Sequence, residues 1–256
     1  MDRRSCIEDR PGAYWGMMKS WTLMLAMLVT HGVAQEVVRP PALVPVPRNE
    51  LEWWVERHEE KLKEVAKGGY EMVFIGDSIT QGWEGAGRAV WKEFYGKRKA
   101  LNLGYSGDRT EHVLWRLQNG ELGEPGKLDP KLFVLMIGTN NTGHRRDPPK
   151  ETAAGIKMII DLLKRERPGA RVLLLSVFPR DGRPDGQLRQ INQRINALIK
   201  PIADGKRVFW LDMDGVFLNE EGILTVRVMP DGLHPKKYGY QLWARAMEPS
   251  IELLME

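Results

Sequence analysis

Three short runs in the chain carry residue types at spacings that could do chemistry. Ser78 follows the apolar run Glu71–Ile75 through Gly76-Asp77, and Thr80 and Gln81 can begin a helix just beyond it. A serine at a strand-to-helix turn can expose its hydroxyl while its own amide faces a developing anion. Serine is also a common helix cap, so this run alone does not choose between the two. Asp231-Gly232-Leu233-His234, just before Pro235, sets an acid three residues ahead of an imidazole. His234 could take the Ser78 proton while Asp231 fixes its tautomer and stabilises the imidazolium. The same spacing equally suits an Asx turn leading into a helix. Gly138-Thr139-Asn140-Asn141 ends the cleanest apolar run of the chain, Leu132–Ile137. Asn140 could aim its side-chain amide at an oxyanion, or simply form a turn. With the amides of Ser78 and Gly107 it would complete a three-donor oxyanion hole.

These residues need elements to hold them, and the pattern supplies an alternation. Strands are expected at Glu71–Ile75, Ala100–Leu103, Leu132–Ile137, Val172–Val177 and Val208–Leu211. Helices are expected at Glu50–Lys67 with Asn49 as a possible cap, and then at Ala86–Tyr95 and Glu111–Gln118. Three more follow at Glu151–Arg167, at Gln187–Pro201 and from Tyr238 to Met247 or beyond. Continuous apolar strands between amphipathic helices indicate a three-layer α/β domain with a parallel sheet covered on both faces. Right-handed crossovers then place a ligand site beyond the carboxyl ends of the strands.

Composition narrows the class further. The chain has 256 residues, 42% hydrophobic and 28% charged, which suits one ordered domain. Cys6 is the single cysteine, so neither an internal disulfide nor a thiolate metal cluster can form. Histidines at 31, 58, 112, 144 and 234 show no compact ligand motif, and no metal or organic cofactor is expected. A net charge of only +4 does not favour a nucleic-acid partner. Residues 17–34 combine Lys19, the apolar stretch Trp21–Val29 and small residues ending at Ala34. That is the pattern of a signal peptide cleaved after Ala34, and it predicts an exported, periplasmic or extracellular protein. A buried amino-terminal helix is the alternative. The apolar stretch is shorter than the roughly 20 residues of a membrane span. Acids interrupt residues 1–16, which fits a true start at Met17 or Met18. We therefore read 1–34 as signal peptide, 35–48 as a proline-rich lead-in and 49–256 as the domain.

Four blocks in order, Gly76-Asp77-Ser78-Ile79, the run from Asn102 to Asp108, Gly138–Asn141 and Asp231–His234, resemble those of the SGNH, or GDSL-type, hydrolases. The runs Gly107–Thr110, His112–Leu117 and Asn119–Leu122 look most like the platelet-activating-factor acetylhydrolase IB catalytic-subunit branch and its bacterial relatives. The resemblance covers about residues 70–247. It implies a flavodoxin-like α/β/α domain around a five-stranded parallel sheet. By matching position, Ser78 would be the nucleophile, Asp231 and His234 the remaining catalytic pair, and Gly107 and Asn140 the other oxyanion donors. Ile79 stands where the family's nominal motif has Leu, and Asn141 where Asp is usual, although the acetylhydrolase branch resembles GTNN here.

The implied activity is serine-dependent hydrolysis of a short acyl ester, acetyl above all, on a small molecule or glycan. Lipid-directed acetylhydrolase, lysophospholipase and thioesterase activities stay open, as does a catalytically silent carbohydrate-binding module. A homodimer is a further implication of the branch. Around the site, Trp83, Arg109 and His144 are candidate pocket residues: Trp83 as a cap on the acyl pocket or as packing, Arg109 as a partner of Asp108 or of an acidic substrate, His144 on the alcohol side. Asp77 reads as a turn acid, Asp108 as support for its loop and His112 as an anchor. Lys236 and Lys237 should face solvent.

Overall fold

Each strand of the computed structural model, which describes residues 39–256, is an apolar run with no polar face. The strands are β1 (Met72–Gly76), β2 (Ala100–Gly104), β3 (Leu132–Met136), β4 (Arg171–Leu175) and β5 (Val208–Leu211). They form one parallel sheet in the order β2-β1-β3-β4-β5. Because side chains alternate across a pleated strand, each run supplies two cores. Val73, Ile75, Phe133 and Leu135 face one, while Met72, Phe74, Val134 and Met136 face the other. The first core is closed by α1 (Glu52–Lys67), α4 (Thr110–Arg116), α5 (Pro149–Glu166) and α6 (Gln187–Ile199). The second is closed by α2 (Ser78–Gln81), α3 (Arg88–Phe94), α7 (Asp214–Phe217) and α8 (Lys237–Met255). The α/β/α architecture with a five-stranded parallel sheet is therefore present.

Differences from expectation have physical causes. α1 starts at Glu52 with Leu51 as its cap, and Asn49 lies in the preceding turn without capping it. α8 runs to Met255 through Pro249, beyond the Met247 expected as its minimum. The missing amide of Pro249 costs one helical bond. Ile251 and Leu254 remain buried on the sheet beyond it, and that burial carries the helix onward. The described part of the lead-in lies on the domain. Pro41–Leu43 makes a short 3-10 turn whose Ala42 is buried, and Thr110 Oγ1 donates to the Ala42 carbonyl at 2.9 Å. Gly155 permits this approach, since a Cβ there would sit 2.7 Å from that carbonyl oxygen. Residues 17–34, read as a signal peptide, lie outside the described residues. No helix among the described residues is long and apolar enough to cross a membrane.

The chain leaves β1 for β2 at one edge and returns past β1 to β3. The carboxyl ends of β1, β2 and β3 thus flank a topological switch point, where open α/β sheets bind ligands.

Candidate active site

β1 delivers the chain into α2 at that switch point, and Asp77 caps the helix: its Oδ1 accepts from the Ile79 amide at 3.0 Å. The capping role that Ser78 could have filled belongs to its neighbour. Ser78 Oγ is instead 2.9 Å from His234 Nε2. His234 Nδ1 in turn lies 2.6 Å from Asp231 Oδ2. Asp231 Oδ1 accepts from the amides of Leu233 at 3.0 Å and His234 at 2.7 Å, so the Asx turn and the acid–imidazole pair are one structure. Burial works against the charge on Asp231. The bonds from the His234 amide and ring and the Leu233 amide outweigh it and hold the carboxyl below its ordinary value. An ionised Asp231 makes Nδ1 the protonated nitrogen and turns the Nε2 lone pair toward the serine hydroxyl. The His234 and Asp231 side chains are 45% and 52% exposed, so the pair sits at an open rim. Tyr240, in the first turn of α8, donates its hydroxyl to the Ile79 carbonyl at 2.8 Å and ties the His234 side of the site to the serine turn.

The other two strand ends bring up donors. Gly107 has φ +73°, a left-handed conformation that favours glycine. Its amide has no acceptor among the described residues. Asn140 is buried and donates from Nδ2 to the Asp108 carbonyl at 2.9 Å, which sets its amide group beside the Gly107 loop. Asn141 uses its amide differently. Its oxygen accepts from the Thr110 amide at 3.1 Å, and its nitrogen donates to Thr110 Oγ1 at 3.1 Å and Asp147 Oδ2 at 3.0 Å. An aspartate here could not donate and would face Asp147 and Glu111.

A buried polar network stands behind the donors. The Asp108 carboxylate accepts from Trp54 Nε1 at 2.8 Å and from Arg116 Nε at 2.8 Å, with Arg48 at 3.4 Å. Arg116 also pairs with Glu121, donates to the Leu103 carbonyl at 3.3 Å and lies 3.8 Å from the Tyr105 ring centre. His58 Nδ1 reaches Glu121 at 3.3 Å. Asp108, Arg116 and Glu121 are fully enclosed. Burial raises Asp108 above its ordinary value against the pull of Arg116, whereas at Glu121 Arg116 outweighs burial and lowers it. Sequence reasoning passed over Arg116. Its signal was a guanidinium three residues after Val113 and directly before Leu117, on the helix face that enters the core.

The remaining candidates fall in different places. Trp83 is only 1% exposed and packs among Phe74, Tyr95, Tyr240 and Trp243, so it is a core residue and does not cap the acyl pocket. Its indole belongs to the layer beneath α8, because α2 turns that side chain toward the sheet. Asp108 pairs with Arg116 and Arg48. Arg109 Nε donates to Glu111 at 2.6 Å, and its Nη1 lies 3.4 Å from His144 Nδ1. His112 is buried, and its Nδ1 accepts from the Arg109 amide at 3.0 Å. Burial and the surrounding arginines depress it to about 2, so it is a neutral anchor. Asp77 is enclosed, its Oδ2 has no partner, and burial raises it to about 7. Lys236 and Lys237 are exposed. Among the described residues no group of three or more His, Cys, Asp or Glu side chains converges as a metal site requires.

Ser78 opens on a groove of about 430 Å³ lined also by Gln81, Gly82, Glu84, Gly85 and Ser106. A hydroxyl bonded to an oriented imidazole, beside unclaimed amides, can attack a carbonyl carbon and hold the resulting oxyanion. Comparison with known proteins points the same way. Residues 74–242 match the GDSL-like lipase/acylhydrolase family. The platelet-activating factor acetylhydrolase IB subunit alpha1 of Pongo abelii is 36% identical over 219 residues, covering 84% of this chain and 91% of the relative. Two solved structures share the fold at lower identity. A GDSL-like lipase from Bacteroides thetaiotaomicron is 23% identical with a TM-score of 0.64, over 77% of this chain and 97% of its own. An acetylxylan esterase from Geobacillus stearothermophilus is 20% identical with a TM-score of 0.57, over 73% and 95%. With that match spanning the serine turn, both donor loops and the acid–imidazole loop, the chain belongs to the GDSL-like lipase/acylhydrolase family of serine ester hydrolases.

Proposed function

We propose that Ser78 is the nucleophile of a short-acyl esterase that removes acetyl groups from a sugar or polysaccharide. The observation that carries the mechanism is the unbroken chain Ser78 Oγ–His234 Nε2, 2.9 Å, and His234 Nδ1–Asp231 Oδ2, 2.6 Å. As Oγ attacks the ester carbonyl, His234 Nε2 takes its proton. The Ser78 amide, the Gly107 amide and Asn140 Nδ2 receive the oxyanion. Collapse breaks the bond to the alcohol oxygen, which takes the proton back from Nε2. Water, deprotonated by the same nitrogen, then attacks the acyl-serine, and the acid leaves as Ser78 recovers its proton. Asp231 keeps Nδ1 protonated throughout.

The alcohol reading is supported by an open groove walled by Gln81, Glu84 and Ser106, polar groups suited to hydroxyls. The likeness to an acetylxylan esterase supports it as well. Lipid deacetylation has its own support in the 36% identity to an acetylhydrolase subunit. Wild type and Ser78→Ala should be tried on nitrophenyl esters of increasing acyl length, acetylated xylan and an sn-2 acetyl phospholipid. Loss of all turnover in Ser78→Ala, acetyl preference and faster release from xylan are the expected results. Undiminished turnover in Ser78→Ala would overturn the nucleophile, and preference for the phospholipid would overturn the sugar. Export and a homodimer complete the proposal, tested by sequencing the mature amino terminus and by sedimentation.

A further inference from the structure

Guanidinium groups crowd the oxyanion side of the site. Arg48 Nη1 donates to the Ser106 carbonyl at 2.7 Å and lies 3.0 Å from where a Cβ of Gly107 would stand. Arg109 follows two residues later and reaches His144, which follows Asn140. Arg180 Nη1 donates to the carbonyl of Thr139, the residue before Asn140, at 2.8 Å. The acids in contact with Arg48 and Arg109 do not cancel them. Asp108 is already held by Arg116 at 2.8 Å, and Glu111 by Arg145 at 2.6 Å. Asp181 and Asp231 act on Arg180 alone. His144 reports the balance: burial, then Arg109, Arg48, Arg180 and Arg145, all disfavour its protonated form. The bonds within this group fix the guanidiniums in place without neutralising them.

We infer that Arg48, Arg109 and His144 form an anion subsite beside the oxyanion donors, and that the preferred ester carries a carboxylate or phosphate on its alcohol. An acetyl group has no room for a charge, so the anion belongs to the alcohol. This rests on the short-acyl esterase reading and narrows its substrate. A cationic rim over a low-dielectric wall concentrates anionic substrate and steers it toward the nucleophile, an effect of about tenfold or more that added salt removes.

The test compares matched esters on the full chain: O-acetyl glucuronate against O-acetyl glucose, and acetyl-glycerol phosphate against acetyl-glycerol. We expect kcat/KM at low salt to favour the anionic member by about tenfold, with the advantage shrinking toward parity at about 0.5 M salt. Inorganic phosphate should raise KM for the anionic member with kcat unchanged. In R48Q and R109Q the anionic-to-neutral ratio should fall several-fold, and R109K should recover part of it. The uronate and phosphate pairs distinguish an acidic sugar from a phosphorylated glycerol as the source of the anion. Equal kcat/KM within both pairs at low salt, or a ratio unmoved in R48Q and R109Q, would overturn the subsite while leaving the hydrolase intact. Failure of every ester, with Ser78→Ala no different, would instead overturn the esterase reading and the subsite with it.

Discussion

Removing the Arg116 guanidinium tests whether the buried network holds the oxyanion donors. Arg116→Met keeps much of the side-chain volume but strips the charge from between Asp108, 2.8 Å away, and Glu121. Both carboxylates stay enclosed, with His58 at 3.3 Å the nearest partner left to Glu121 and Trp54 and Arg48 left to Asp108. Breaking a buried pair from one side costs about 3–5 kcal/mol, because a charge remains without its partner. In a domain of this size each kcal/mol moves Tm by about 2–4 °C, so Tm should fall by roughly 6–20 °C. Activity should change as well. The Asp108 carbonyl is the acceptor that orients Asn140, at 2.9 Å, and a donor displaced by about 1 Å can cost 10²-fold in rate. The assay is urea unfolding beside kcat and KM measured where the variant is fully folded. A loss below about 1 kcal/mol with unchanged kcat would refute the reasoning. Arg116→Lys should recover part of the stability and less of the rate, since one ammonium cannot serve both carboxylates in a fixed fork.

Asn140→Ala should lower kcat by about 10²–10³-fold with little change in KM, as read from initial rates on a short ester. Asp231→Asn should lower kcat by about 10⁴-fold while leaving the fold intact by circular dichroism, because Nδ1 loses its charged acceptor. Asp77 is held up to about 7 by burial, while the unfolded chain loses that proton near 3.9. The folded state therefore binds the extra proton between those values, and stability falls as pH rises through that window, by about 4 kcal/mol in full. Relative to Asp77→Asn, wild type should lose ground from about pH 4 to 7 in chemical denaturation; a pH-independent difference would contradict the assignment. Trp83→Ala should cost about 3–5 kcal/mol through the cavity it leaves, and its kcat should fall no more than its folded fraction does.

The architecture was legible because its signals are local and redundant. Leu132–Met136 is apolar at every position, which only a strand covered on both faces requires. Ser78, Asn140 and Asp231–His234 were legible because strand ends and one loop carry them. The geometry settled what spacing alone left open, with Asp77 as the cap and the Asx turn as part of the acid–imidazole pair. What stayed hidden depends on distant partners. Arg116 reads as a helix-surface cation until Asp108 and Glu121 are seen around it, and Trp83 reads as a pocket wall until α8 covers it. The Arg48 contact with the Ser106 loop spans 58 residues, a juxtaposition no periodicity encodes.

Tyr240 gives the molecule an order of failure. Asp231 and His234 are three residues apart and keep their partnership wherever their loop goes, whereas Ser78 is anchored in the sheet 156 residues away. The only alignment pin between those two bodies described above is the Tyr240 hydroxyl on the Ile79 carbonyl. On warming, the proton relay should therefore disengage at the serine first, with the acid–imidazole half still assembled. Inactivation would then precede unfolding and reverse on cooling, and Tyr240→Phe would widen the gap between the two temperatures.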